Sequence, residues 1–206
     1  MYTILIAAGW PVWPLLITSI LALAILLERV WFLQAKSITP PQLLEGAIQL
    51  ASSGALKQPK TAQDATKALS DAAPLGQILA AALLEKAQSG SEDKIIAAMQ
   101  DAAESVTILL ERYLGALATI ATIAPLLGLF GTVVGMIEIF GSQQGVGANP
   151  QQLANGISIA LYNTAFGLLI AIPAYAGWRG LKAMAEKRQR ECDVAAKKLL
   201  AHLNSI

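Results

Sequence analysis

The chain has 206 residues, of which 55% are hydrophobic and 14% charged, against roughly 25% charged in a soluble domain. Cys192 is the single cysteine and His202 the single histidine, which excludes a disulfide scaffold and a metal site built from several His and Cys. A net charge of +1 gives no reason to expect nucleic acid as a partner. The charge deficit is concentrated: no charged side chain occurs in Met1–Leu27, Tyr113–Ile137 or Ile139–Trp178. Each stretch exceeds the roughly 20 apolar residues that cross a hydrocarbon core about 30 Å thick. The expected fold class is an all-α integral membrane protein with three transmembrane helices.

The first segment, residues 1–33, holds an outer N-terminus and the first span, Trp10 to Phe32. Met1–Trp10 has no Lys or Arg, unlike the basic start of a cleaved signal peptide, so the span is expected to be retained. Pro11 and Pro14 fall near its first turn, where a missing N–H costs little. Glu28-Arg29-Val30-Trp31-Phe32 closes it with the charge and aromatics of a membrane interface. Glu28 and Arg29 read as a structural pair there.

Residues 34–112 form a helical region rich in Ala, Leu, Lys, Gln and Glu, with breaks expected at Gly54, Pro59 and Pro74-Leu75-Gly76. Ser91 is placed to cap a further helix whose first turn holds Glu92 and Asp93. Ile95, Ile96, Met99, Ala103, Val106 and Leu110 then recur at helical spacing, and no proline stops that helix from running straight into the second span. From Ser91 to Phe140 it would be about 75 Å long.

Residues 113–178 hold the second and third spans, joined by a polar, Gly-rich turn over Gly141–Asn155, with Asn149 and Pro150 suited to start the third helix. Residues 179–206 extend the third helix as an Ala/Lys/Glu-rich tail. Seven of the Lys and Arg lie in residues 34–112 and seven in residues 179–206, with none in the N-terminal dozen or the turn. That asymmetry places the N-terminus outside, the C-terminus inside, and the extensions of both later spans in the cytoplasm.

On the second span Ala121, Ala124, Gly128, Gly131 with Thr132, and Gly135 recur every three or four residues, a stripe of small side chains that permits close helix approach in lipid. On the third, Ala160, Thr164, Gly167 and Ala171 form a similar face, with Asn163 100° round from Thr164. A lone copy would leave both faces and two projecting helices without partners, so a homo-oligomer among membrane lipids is expected. Thr132 and Thr164 have two readings, as hydroxyls bonded to a carbonyl of the preceding turn or as part of a water-lined path. Glu138 likewise either anchors the outer interface or takes part in ion entry. Pro125 and Pro173 each remove a helical hydrogen bond. No His, Cys or paired carboxylates lie at membrane depth, so neither an enzyme nor a cofactor is expected.

The stretch Leu117-Ala118-Thr119-Ile120-Ala121-Thr122-Ile123-Ala124-Pro125 leads into Gly128-Leu129-Phe130-Gly131-Thr132-Val133-Val134-Gly135-Met136. On the third span stand Ala160-Leu161-Tyr162-Asn163-Thr164-Ala165-Phe166-Gly167-Leu168 and Ala171-Ile172-Pro173-Ala174. Together these resemble the MotA/TolQ/ExbB proton-channel family, and most of all its ExbB branch. The resemblance implies a bacterial inner-membrane pentamer whose second and third spans line a pore. That pore would enclose the spans of a smaller ExbD-like partner bearing an intramembrane aspartate, and Thr132, Thr164, Asn163 and Glu138 are its candidate lining. The implied work is energising TonB-dependent outer-membrane transport with a TonB-like protein. The alternatives are TolQ-like envelope maintenance and a non-conducting membrane scaffold; the flagellar branch carries four spans. One departure stands out: relatives of the ExbB and TolQ branches often have a glutamate at the position matching Ile159, and the third span here has no carboxylate.

Overall fold

The computed structural model describes residues 10–53, 56, 58–88, 90–142 and 150–205. Among them the chain is all helix and turn, with eight helices: α1 (Val12–Phe32), α2 (Ala35–Ile38), α3 (Pro41–Ser52), α4 (Pro59–Ala72), α5 (Pro74–Ala87), α6 (Glu92–Glu111), α7 (Leu114–Ser142) and α8 (Pro150–Asn204). Three helical runs are long and apolar enough to cross a membrane: α1, the run from Glu92 to Gly141, and α8. The second and third extend well beyond a single span, α8 covering 55 residues or about 82 Å. Pro150 opens α8 as expected, while Gly54, Asn149 and most of the turn before Pro150 lie outside the described residues.

The continuous helix expected from Ser91 to Phe140 is interrupted. Arg112 turns to φ −51° and ψ 135°, and Tyr113 follows at φ 64°. These angles match the central residues of a type II turn, whose second position is normally glycine because a Cβ crowds the backbone there. No glycine or proline marks the break in the sequence. Ser91 does hold the N-cap position of α6, but its side chain makes no capping bond.

The chain divides into two units. Unit 1, Met1–Glu28 with Tyr113–Gly180, contains most of α1, all of α7 and the apolar half of α8. Leu126, Ile137, Leu169 and Ile172 are exposed on its surface, as suits helices bathed in lipid. Here α7 and α8 form an antiparallel hairpin, and α1 lies against both: Trp10 meets Phe130 edge to face at 6.0 Å, and Leu26 crowds Gly177.

Unit 2, Arg29–Arg112 with Leu181–Ile206, is built around α5. That helix is apolar nearly all round and buries Leu75, Ile78, Leu79 and Leu83, each contributing about 1.5–3 kcal/mol through burial. Pro74 starts it, and α4 stops two residues earlier, at Ala72. Gly76 lies where α5 crosses α4. A Cβ there would collide with the Leu69 carbonyl of α4, so only glycine lets the two helices meet. Three cations finish the unit by donating to carbonyls at the C-terminal ends of other helices, which lack intrahelical donors. Arg29 Nη1 reaches Leu109 O of α6 at 3.1 Å, Arg188 Nε reaches Leu33 O just past α1 at 3.1 Å, and Lys86 Nζ reaches Leu203 O of α8 at 2.8 Å. Arg29 is 2% exposed and its guanidinium stands 4.6 Å from the Phe32 ring centroid, so the interfacial residue of the sequence is a buried clasp. Cys192 is buried too, and burial pushes its thiol up to about 12.

Candidate functional site

The expected site residues gather on the α7–α8 hairpin. Its antiparallel register is legible in the contacts: Gly128 faces Asn163 and Thr164, Gly131 faces Asn163, Gly135 faces Ala160, and Gly167 faces Ala124 and Gly128. The approach is closest in the middle. A Cβ on Gly128 would stand 2.7 Å from Asn163 O, and one on Gly167 2.6 Å from Ala124 O. At Gly135 the same construction meets Ala160 at 3.6 Å, an ordinary contact. Backbone therefore touches backbone across the seam, as small residues allow between helices in lipid.

This placement changes two expectations. The small faces of α7 and α8 find each other within one chain, so they are not left bare in a single copy. Close packing only requires a complementary small face, and the short connection between the spans supplies one in the same chain. The buried stripe of α8 also runs through a different residue. Ala160, Asn163, Gly167, Ala171 and Ala174 are buried at steps of three and four, and Thr164 lies at the edge of the stripe. Asn163, 1% exposed, places its side chain against Gly131 rather than on an open surface. The 160-163-167-171-174 spacing is the sequence signal for this burial.

Thr132 and Thr164 are both half-exposed and flank the seam, one on each helix. Thr164 lies level with Gly128, four residues before Thr132, so the two differ in depth by about 6 Å, one helical turn. The Thr132 hydroxyl donates to Leu129 O at 2.6 Å. Its proton is thereby engaged while the oxygen lone pairs remain available to accept. Glu138 is exposed, one turn before the end of α7. Pro125 and Pro173 lie inside their helices without ending them. Among the described residues no cluster of His, Cys, Asp or Glu could hold a metal ion. The arrangement can accept and relay hydrogen bonds beside an apolar seam; it offers no nucleophile–base pair.

Comparison with known proteins fits this geometry. The MotA/TolQ/ExbB proton channel family matches residues 70–193, from the last turn of α4 to the polar part of α8. The chain belongs to that family. It is 34% identical over 189 residues to the biopolymer transport protein exbB1 of Vibrio cholerae, covering 87% of this chain and 78% of that protein. A putative ExbB-like protein of Synechocystis is 33% identical over 180 residues, 85% of this chain and 68% of its own. The Tol-Pal system protein TolQ of Haemophilus influenzae is 44% identical over 73 residues, 35% of this chain and 32% of its own. Family membership with three long apolar helices makes this a multi-pass membrane protein of a proton-channel family, most like ExbB.

Proposed function

We propose that the chain is the channel subunit of an inner-membrane motor that draws on the proton motive force to energise TonB-dependent transport across the outer membrane. It works as a homopentamer around the spans of an ExbD-like partner, together with a TonB-like protein, with the N-terminus periplasmic and the C-terminus cytoplasmic. The observation that carries this reading is the ExbB-type similarity along 87% of the chain, together with two hydroxyls left half-exposed beside a closed seam. Thr132 and Thr164 accept and pass hydrogen bonds between water and the partner's aspartate without a buried charge of their own. Asn163 holds the seam that positions them. Glu138, exposed near the end of α7, stands at the mouth, and α8 has Ile159 where a glutamate is common in the branch.

Co-purification from native membranes tests it. An ExbD-like protein and a TonB-like protein in the eluate support the reading, and a Tol-type partner would replace it with envelope maintenance. That second reading is favoured by the 44% identity to TolQ over 73 residues. A chain that purifies with no smaller partner and conducts no protons would leave a membrane scaffold.

A further inference from the structure

Two exposed helix faces of unit 2 carry matching charge patterns. On α4, Lys60, Asp64, Lys67 and Asp71 follow one another at steps of four, three and four residues, alternating in sign and all exposed. On the polar part of α8, Glu186, Arg190, Asp193 and Lys197 repeat the same steps with every sign reversed, and again all are exposed. Steps of three and four hold each set in a stripe along one side of its helix. None of the eight makes an ion pair or a side-chain hydrogen bond within the described chain. Laid side by side in parallel, the stripes bring Glu186 to Lys60, Arg190 to Asp64, Asp193 to Lys67 and Lys197 to Asp71. Laid antiparallel, the same spacing opposes like charges at all four positions. The pattern therefore selects one orientation. Asp193 and Lys197 also form the rim of an apolar groove of about 320 Å³ floored by Ile78 and lined by Ile96, Met99 and Leu200. A helix lying on the α8 stripe would cover it.

We propose that the α4 face of one copy docks in parallel on the α8 face of the next copy, along this groove. The inference rests on the homo-oligomer of the proposed function and names the surface that joins its subunits. The two faces are different patches, so the contact is heterologous; repeated about an axis it closes a ring, where a self-complementary patch would stop at a dimer. Exposed ion pairs contribute little one by one. Here they fix orientation and register, and the groove provides the apolar area.

The test uses the full chain in native membranes, with Lys60→Cys and Glu186→Cys as reporters of the parallel register and a short bis-maleimide as cross-linker. Cys192 is buried and its thiol remains protonated at neutral pH, so it does not compete. The reporters should give a ladder of cross-linked copies. Reversing α4 (Lys67→Asp, Asp71→Lys) or α8 (Asp193→Lys, Lys197→Asp) leaves net charge unchanged and should cut the ladder by about tenfold, because like charges then face each other. Reversing both helices in one chain should restore it, which also excludes misfolding as the cause of the loss. An oligomer of unchanged size with no cross-link, a ladder indifferent to either reversal, or no recovery in the combined variant would overturn this contact alone. Monomers by light scattering in mild detergent would overturn the homo-oligomer as well.

Discussion

Substituting alanine along the α7–α8 seam gives a graded prediction. At Gly128 the added methyl would stand 2.7 Å from Asn163 O, whereas ordinary contacts begin at 3.4 Å, so the helices must part by about 0.7 Å. At Gly167 the figure is about 0.8 Å, from 2.6 Å to Ala124 O. Both obstacles are backbone atoms of a regular helix, which cannot swing aside as a side chain can. Overpacking of this kind typically costs about 1–3 kcal/mol. The better helix propensity of alanine offsets about 0.8–1 kcal/mol of that. Gly128→Ala and Gly167→Ala should therefore each lose up to about 2 kcal/mol. Gly135→Ala meets only Ala160 at 3.6 Å, so it should be neutral or gain up to about 1 kcal/mol. Thermal unfolding of the detergent-solubilised protein, followed by tryptophan fluorescence, reads the order directly. Equal tolerance at all three positions, or Gly135→Ala proving the most damaging, would refute the seam.

Other consequences concern unit 2. Gly76→Ala places a methyl inside the Leu69 carbonyl, while Gly46→Ala meets nothing within 4 Å. The first should cost about 3 kcal/mol or more, because its overlap with backbone is far deeper than at Gly128 or Gly167, and the second should be neutral to slightly stabilising; chemical denaturation followed by helix content separates them. Arg29→Met removes the donor to Leu109 O and should cost about 1.5–3 kcal/mol, read as faster hydrogen exchange in the last turn of α6. Unchanged exchange there would show that the arginine is not the clasp.

The spans and their extensions were legible in the sequence because lipid leaves little freedom. Long charge-free stretches must become helices there, and outside the spans Pro59 and Pro74 open α4 and α5 as Pro150 opens α8. Membership of the MotA/TolQ/ExbB family was legible through two motifs in order on adjacent spans. The break at Arg112–Tyr113 was not, since a tyrosine at φ 64° carries no local signature and only surrounding structure holds it there. Nor was the role of Arg29, because its acceptor is 80 residues away in the chain. The small-residue stripes announced close packing without naming the partner, and the same pattern serves a seam within a chain or between chains. Asn163 was legible as a neighbour of Thr164 on the helix, and its spacing from Ala160, Gly167 and Ala171 is what carries it into the seam.

Proton flux tests the central claim most directly. The chain and its single-span partner are reconstituted into liposomes carrying an internal pH dye, with a potassium gradient and valinomycin setting the potential. The pair should carry a flux that falls by about a hundredfold or more in the Thr132→Val, Thr164→Val double variant, the scale on which lost proton-transfer groups slow a transfer. Assembly and expression should be unchanged, since valine keeps the shape of threonine and removes only its hydroxyl. Full flux in the double variant, with the complex intact, would contradict the account and return both threonines to ordinary helix packing.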